Sequence, residues 1–156
     1  MRYDPRLHIV LHEPEIPPNA GNVGRTCVAV GAKMWLVRPL GFRVDDASLR
    51  RAGVDYWEEL EWEVADDWDQ LNARLEAAAA GTRWLFSARA SRCYTQASFR
   101  PGDVLVFGSE SRGLPTELKA RHADTLLVIP SRPQVRSLNL SNCAAIVAYE
   151  ALRQWG

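Results

Sequence analysis

Five short apolar runs constrain this chain most: residues 7–11 (LHIVL), 34–37 (MWLV), 84–87 (WLFS), 104–107 (VLVF) and 126–129 (LLVI). They carry β-branched, aromatic and leucine side chains without a regular polar alternation, so each reads as a strand covered on both faces. A weaker strand is expected near residues 62–64. Segments of helical character lie between them. The run TCVAV ends at Gly31, a natural helix stop. Asp45 and Asp46 can cap a short helix that Gly53 ends, and Asp66 or Asp67 can cap one reaching Ala80, with Leu71 and Leu75 on one face and Gly81 as its stop. Pro115 suits the first turn of another short helix, and the last helix is expected from about Leu140 to Trp155. Strands alternating with helices imply an α/β fold, a mostly parallel sheet with helices on both faces. A length of 156 residues and 47% hydrophobic content suit one domain, 1–156, with its own core.

Several function classes lose support at once. Cys27, Cys93 and Cys143 lie far apart, which argues against a disulfide framework or zinc site and fits a reducing, cytoplasmic setting. His8, His12 and His122 share no ligand-like spacing, so no metal is expected and the histidines read as structural or solvated. No apolar run approaches the roughly 20 residues a membrane helix needs. The opening MRYDPRLHIVLHEPEIPP is too broken by charges and prolines to be a signal peptide. Net charge is zero, but unevenly spread. Residues 55–69 hold eight acids and no base, leaving 11 acids against 19 basic residues elsewhere, and 17 of those bases are Arg. Arg is the better fork for phosphate and stacks on bases, so an RNA-facing surface is open to this chain.

Three polar segments each follow an expected strand. In such sheets ligands sit beyond the carboxyl ends of the strands, so all three can converge at one rim. HEPEIPPNAG reads as a loop stiffened by three prolines, and NAGNVGR leads from it into the first helix. That places Arg25 at a helix start, where a cation opposes the helix dipole unless it shares an anion with the helix N-terminus. The spacing is neither GxGxxG nor GxxxxGK[ST], which weighs against dinucleotide and nucleoside-triphosphate sites. GSESRGL turns at Gly108 and carries Glu110, either a cap, a partner for Arg112 or Arg25, or a working carboxylate. In SLNLSN, residues 137–142, the amides and hydroxyls either cap the last helix or hold a ligand at its start.

Together NAGNVGR, FGSESRGL and IPSRPQVRSLNLSNCAAIVAYE resemble the three motifs of the SpoU branch of the SPOUT superfamily, RNA ribose 2′-O-methyltransferases. With LHEPEIPPNAGNVGR, RPLGF and RRAGVDY, the likeness is greatest to the minimal bacterial members, which methylate the wobble ribose of certain leucine tRNAs. GSE stands where the motif has GPE. The resemblance implies a C-terminal deep trefoil knot, S-adenosylmethionine (AdoMet) bound bent within it, a homodimer packed partly through the first and last helices, and a tRNA anticodon loop as substrate. Carried over by position, the AdoMet pocket comprises Ala88 beside Ser87, Gly108, Ile129, Ser137 and Leu138, while Asn139 shapes the active site. Arg25 is the catalytic candidate. A guanidinium keeps its proton near neutral pH, so the expected role is to grip a substrate phosphate and stabilise the developing alkoxide. The proton could then leave through a phosphate oxygen or water, with Glu110 as an alternative acceptor. RNA is expected to meet Arg43, Arg50, Arg51, Arg89, Arg92, Arg132 and Arg136, with the acidic stretch turned away and Trp57 free to stack on a base. Other RNAs such as rRNA, base methylation, and a non-catalytic RNA-binding knot protein remain as alternatives.

Overall fold

A strand buried along its whole length must lie inside a sheet, and the first strand does. The structure is a computed structural model that describes residues 5–45, 47–52 and 56–156. In chain order the elements are β1 (Leu7–His12), α1 (Pro17–Val30), β2 (Ala32–Val37), α2 (Ala47–Ala52), β3 (Trp62–Ala65), α3 (Trp68–Ala77), β4 (Arg83–Phe86), β5 (Val104–Phe107), α4 (Thr116–Arg121), β6 (Leu126–Leu127) and α5 (Leu140–Trp155). The sheet order is β3-β2-β1-β5-β4-β6, and every pairing is parallel. Asp46 and Gly53, expected as cap and stop of α2, lie outside the described residues, as do Asp55 and the side chain of Arg50.

Side chains alternate across β1 as strand geometry requires. Leu7, Ile9 and Leu11 enter the core that α1 and α5 cover, packing with Val23, Cys27, Ala144 and Val147. Val10 enters the opposite core with Trp35, Leu71 and Leu75 of α3, and Leu118 of α4. His8 is buried on that second face, and its Nδ1 accepts from Trp35 Nε1 at 3.1 Å.

Several boundaries differ from expectation. NAGNVGR is not a loop before the first helix. It lies within α1, because Pro17 and Pro18 occupy the first helical positions, where the missing N–H costs nothing and φ is already helical. Gly24 serves close packing there: a Cβ would come within 2.9 Å of Leu60 Cδ2. Gly31 ends α1 at φ 75° as expected. Asp67 caps α3, its Oδ1 accepting from Gln70 N at 2.8 Å, but α3 ends at Ala77 rather than Ala80. Gly81 is not the stop. It is required by a close approach, since a Cβ there would sit 2.4 Å from Asp103 Oδ1. Pro115 lies just before α4 rather than in its first turn. The last strand closes after Leu127; Val128 bridges to Cys93, and Ile129 is free to line a cleft.

The connection between β4 and β5 is tied to the end of α5. Phe99 N donates to Gln154 Oε1 (2.8 Å), Gln154 Nε2 donates to the Ala97 carbonyl (2.9 Å), and Trp155 Nε1 donates to the Phe99 carbonyl (2.8 Å).

Candidate active site

Beyond the carboxyl ends of β4 and β5 a half-open cleft of about 790 Å³ is lined by residues 86–89, 107–114 and 136–140, with Ile129, Ile16 and Asn19. Its walls come from four separate turns. What joins three of them is one short chain of hydrogen bonds.

Glu110 is at its centre. The N-cap of α1 is Ile16, which has no polar side chain to satisfy the free N–H groups of a helix start. Glu110 supplies that need from 94 residues away: Glu15 N donates to its Oε1 (2.9 Å), and Ile16 N (2.7 Å) and Asn19 Nδ2 (3.2 Å) donate to its Oε2. A carboxylate at a helix N-terminus is also favoured by the dipole. Asn139 Nδ2 donates to Asn19 Oδ1 at 3.0 Å, and Asn139 Oδ1 caps α5 by accepting from Ser141 N (2.9 Å) and Asn142 N (3.3 Å). The starts of α1 and α5 and the turn after β5 are therefore fixed to one another through Asn19. A reciprocal bond reinforces this. Ser111 N (2.9 Å) and Ser111 Oγ (2.5 Å) donate to Glu15 Oε1, and these bonds hold the Glu15 carboxyl below its ordinary range. The turn itself needs a glycine at 108, where a Cβ would lie 2.2 Å from the Gly113 carbonyl carbon.

Ala88, Gly108, Glu110, Ile129, Ser137, Leu138 and Asn139 all line this cleft. Among the described residues, the backbone N–H groups of Ile129, Arg136, Ser137 and Leu138 make no hydrogen bond, so they are free to hold a ligand. Apolar side chains of Ile129 and Leu138 beside free backbone groups suit a flat heteroaromatic ring with polar edges, which is the chemistry of an adenosyl group.

Arg25 does not line this cleft. It lies in the middle of α1 on the exposed face, not at a helix start, so it shares no anion with the α1 N-terminus. Its Nη2 donates to Tyr56 Oη at 3.2 Å, and the guanidinium lies 4.9 Å from the centre of that ring. Glu110 meets neither Arg25 nor Arg112; Arg112 pairs with Glu13 at 3.7 Å instead. Trp57 is not an open stacking platform, because it packs against Trp62 (5.2 Å between ring centres) and the core. Arg43 pairs with Asp45. Arg92 reaches the carbonyls of Asp124 and Gln96 and covers Trp84, so its role is at least partly structural. Arg89, Arg132 and Arg136 are exposed without a side-chain partner among the described residues, and Arg51 is exposed. The acidic stretch borders the far edge of the sheet, where Glu63 meets Lys33 and Arg74, and Asp66 meets Arg38. Asn19 as the connecting residue, and Thr116 and Lys119 of α4 as cleft residues, escaped the sequence reading. Nothing local marks them, since the partners of Asn19 are 91 and 120 residues away.

Among the described residues no group of three or more His, Cys, Asp or Glu is placed to hold a metal, and no helix is long and apolar enough to cross a membrane. Burial raises the thiol pKa of Cys27 and, less strongly, that of Cys143.

Comparison with known proteins gives consistent matches. The profile of the SpoU rRNA Methylase family matches residues 6–149. A tRNA (cytidine(34)-2'-O)-methyltransferase of Burkholderia ambifaria is 48% identical over 151 residues, covering 96% of each chain. One of the same description from Saccharophagus degradans is 45% identical over 151 residues. A structure described as structural insights into the 2-OH methylation of C/U34 on tRNA superposes with TM-score 0.90 at 46% identity, covering 96% of this chain and 95% of that one. The SpoU methyltransferase AviRb from Streptomyces viridochromogenes in complex with AdoMet superposes with TM-score 0.85 at 25% identity, covering 99% of this chain and 59% of that one.

Proposed function

The chain belongs to the SpoU rRNA methylase family, and from that premise we propose that it is an AdoMet-dependent tRNA methyltransferase acting on the 2′-hydroxyl of the wobble ribose. The substrate is cytidine or uridine at position 34, in leucine tRNAs. The observation that carries this reading is the Glu110–Asn19–Asn139 junction, which locks three strand-end turns around one cleft.

When bound, AdoMet supplies a methyl group made electrophilic by its sulfonium. The rest of the work is positioning. Free backbone groups at Ile129, Ser137 and Leu138, with the turn at Gly108 and the wall at Ala88, hold the cofactor. Asn139 keeps the floor of the site fixed through its cap on α5. Glu110 already accepts three N–H bonds, which makes it the brace of the cleft.

Arg25 needs a second copy of the chain to meet a cleft. The exposed face of α1 lies beside α5, whose Ile146 and Tyr149 are 37% and 55% exposed. A homodimer through these two helices covers that apolar surface and lets Arg25 serve the partner's cleft. There the guanidinium grips a substrate phosphate and stabilises the alkoxide as the proton leaves to a phosphate oxygen or water. The ties from Ala97 and Phe99 to Gln154 and Trp155 lay the β4–β5 connection over α5, which supports a C-terminal segment threaded as a deep trefoil knot within one domain.

The test is methylation of total tRNA by the purified protein, read by nucleoside mass spectrometry. The expected products are 2′-O-methylcytidine and 2′-O-methyluridine at position 34. Methylation of rRNA with none on tRNA would move the substrate and keep the chemistry. Arg25→Ala should keep AdoMet binding and lose methyl transfer by about 100-fold or more. Mixing Arg25→Ala with Ser137→Leu, each inactive alone, should restore activity if each cleft uses the other subunit's arginine. Failure to restore it would return Arg25 to its own chain.

A further inference from the structure

The cleft carries more positive charge than its cofactor can use. Four basic side chains line it, Arg89, Arg112, Lys119 and Arg136, against one carboxylate, Glu110. Arg112 has Glu13 at 3.7 Å, but Arg89, Lys119 and Arg136 make no ion pair among the described residues. They come from three separate elements: the turn after β4, the half-buried face of α4 and the loop before α5. Unpaired like charges around one concavity repel each other, and low-dielectric walls strengthen the effect. AdoMet does not relieve it. Its sulfonium and ammonium outweigh its carboxylate, so it brings a further net positive charge.

We propose that Lys119, with Arg89 and Arg136, forms an anion subsite for an RNA phosphodiester next to the target nucleotide, and that filling it makes RNA and AdoMet bind with positive cooperativity. This rests on the functional reading above. The phosphate cancels the charge that opposes the cofactor, and by reciprocity the cofactor strengthens RNA binding by the same factor. After methyl transfer the product, S-adenosylhomocysteine, has lost the sulfonium charge. It gains less from the phosphate, so the coupling weakens and release of the methylated RNA is favoured.

The experiment is calorimetric titration of AdoMet and of S-adenosylhomocysteine into the full chain. Each is done alone and with a saturating anticodon stem-loop carrying 2′-deoxycytidine at the target, which cannot accept a methyl. RNA should tighten AdoMet by about 10-fold and S-adenosylhomocysteine by distinctly less. Lys119→Gln should tighten AdoMet in the RNA-free protein by about two-fold, weaken RNA binding, and cut the coupling to about a third. It should also lower the salt slope of RNA binding by about one. Lys119→Arg should restore the coupling, and Arg89→Gln should repeat the loss from a different element. Weaker AdoMet binding by RNA-free Lys119→Gln would mean that Lys119 holds the cofactor carboxylate, and overturns the proposal. Unchanged coupling in both charge-removing variants also overturns it, and leaves the methyltransferase reading intact. No AdoMet binding by the unsubstituted chain overturns both.

Discussion

Two carboxylates bracket β5, and their surroundings are opposite. Asp103, just before the strand, is 3% exposed and accepts from Thr82 N, Arg100 N and Trp84 Nε1, each at 2.9 Å. Glu110, beyond the other end, also accepts three N–H bonds, but beside an open cleft. The lower brace joins the start of β4 to the turn before β5. The upper brace joins the turn after β5 to the start of α1 and, through Asn19, to the start of α5, beside the free backbone groups of Ser137 and Leu138. The same chemistry thus serves stability at one end of the strand and site geometry at the other. The difference lies in what the braced turns face.

Four measurements test that division, the largest expected effect first. Glu110→Ala should lower methyl transfer to tRNA by about 100-fold, because a small misplacement of positioning groups is that costly, while the melting temperature falls only a few degrees. A variant that keeps normal turnover and loses roughly 6–12 °C in melting temperature would make Glu110 the same kind of group as Asp103. Gly108→Ala places a Cβ against the Gly113 backbone. It should weaken AdoMet binding by about 10-fold, read by calorimetry, whereas Gly81→Ala at the lower end should leave that affinity unchanged and only lower stability. Asp103→Ala leaves three N–H donors without their acceptor and should cost about 3 kcal/mol. That corresponds to a drop of roughly 6–12 °C in melting temperature, with normal turnover below the transition. The smallest effect concerns pH. His12 ends β1, and burial lowers its pKa; His122 is lowered in the same way, with Arg121 and Arg83 adding to it, and both rings pack on Trp68. The unfolded chain then binds more protons than the folded one below the ordinary value of 6.5, so stability falls as pH drops from there toward the folded values. Melting curves from pH 7 to 5 should show this decline, and His12→Phe should make it shallower.

Much of the architecture was legible in the chain. Leu140 to Trp155 is helical as read, and Val104 to Phe107 is a strand as read, because burial on both faces leaves an unbroken apolar run. The failures share one cause. NAGNVGR carries glycines and amides that suggest a loop, yet two prolines before it start the helix early, and Gly24 is there for packing. Gly81 suggests a helix stop, yet it answers to a carboxylate 22 residues later. Local pattern reports a residue's own preferences and not the neighbour that overrides them.

The order of strands and helices, the turns at the strand ends and the residue types gathered in them are properties of the sequence, because periodicity and turn chemistry act over a few residues. Which of those turns meet, and which side chains face the common cleft, was decided only in three dimensions. Asn19 bridges Glu110 and Asn139, while Arg25, six residues along the same helix, faces away from the cleft. Helical spacing puts successive residues on different sides of α1, and only the packing of α1 on the sheet and on α5 selects the side that turns inward.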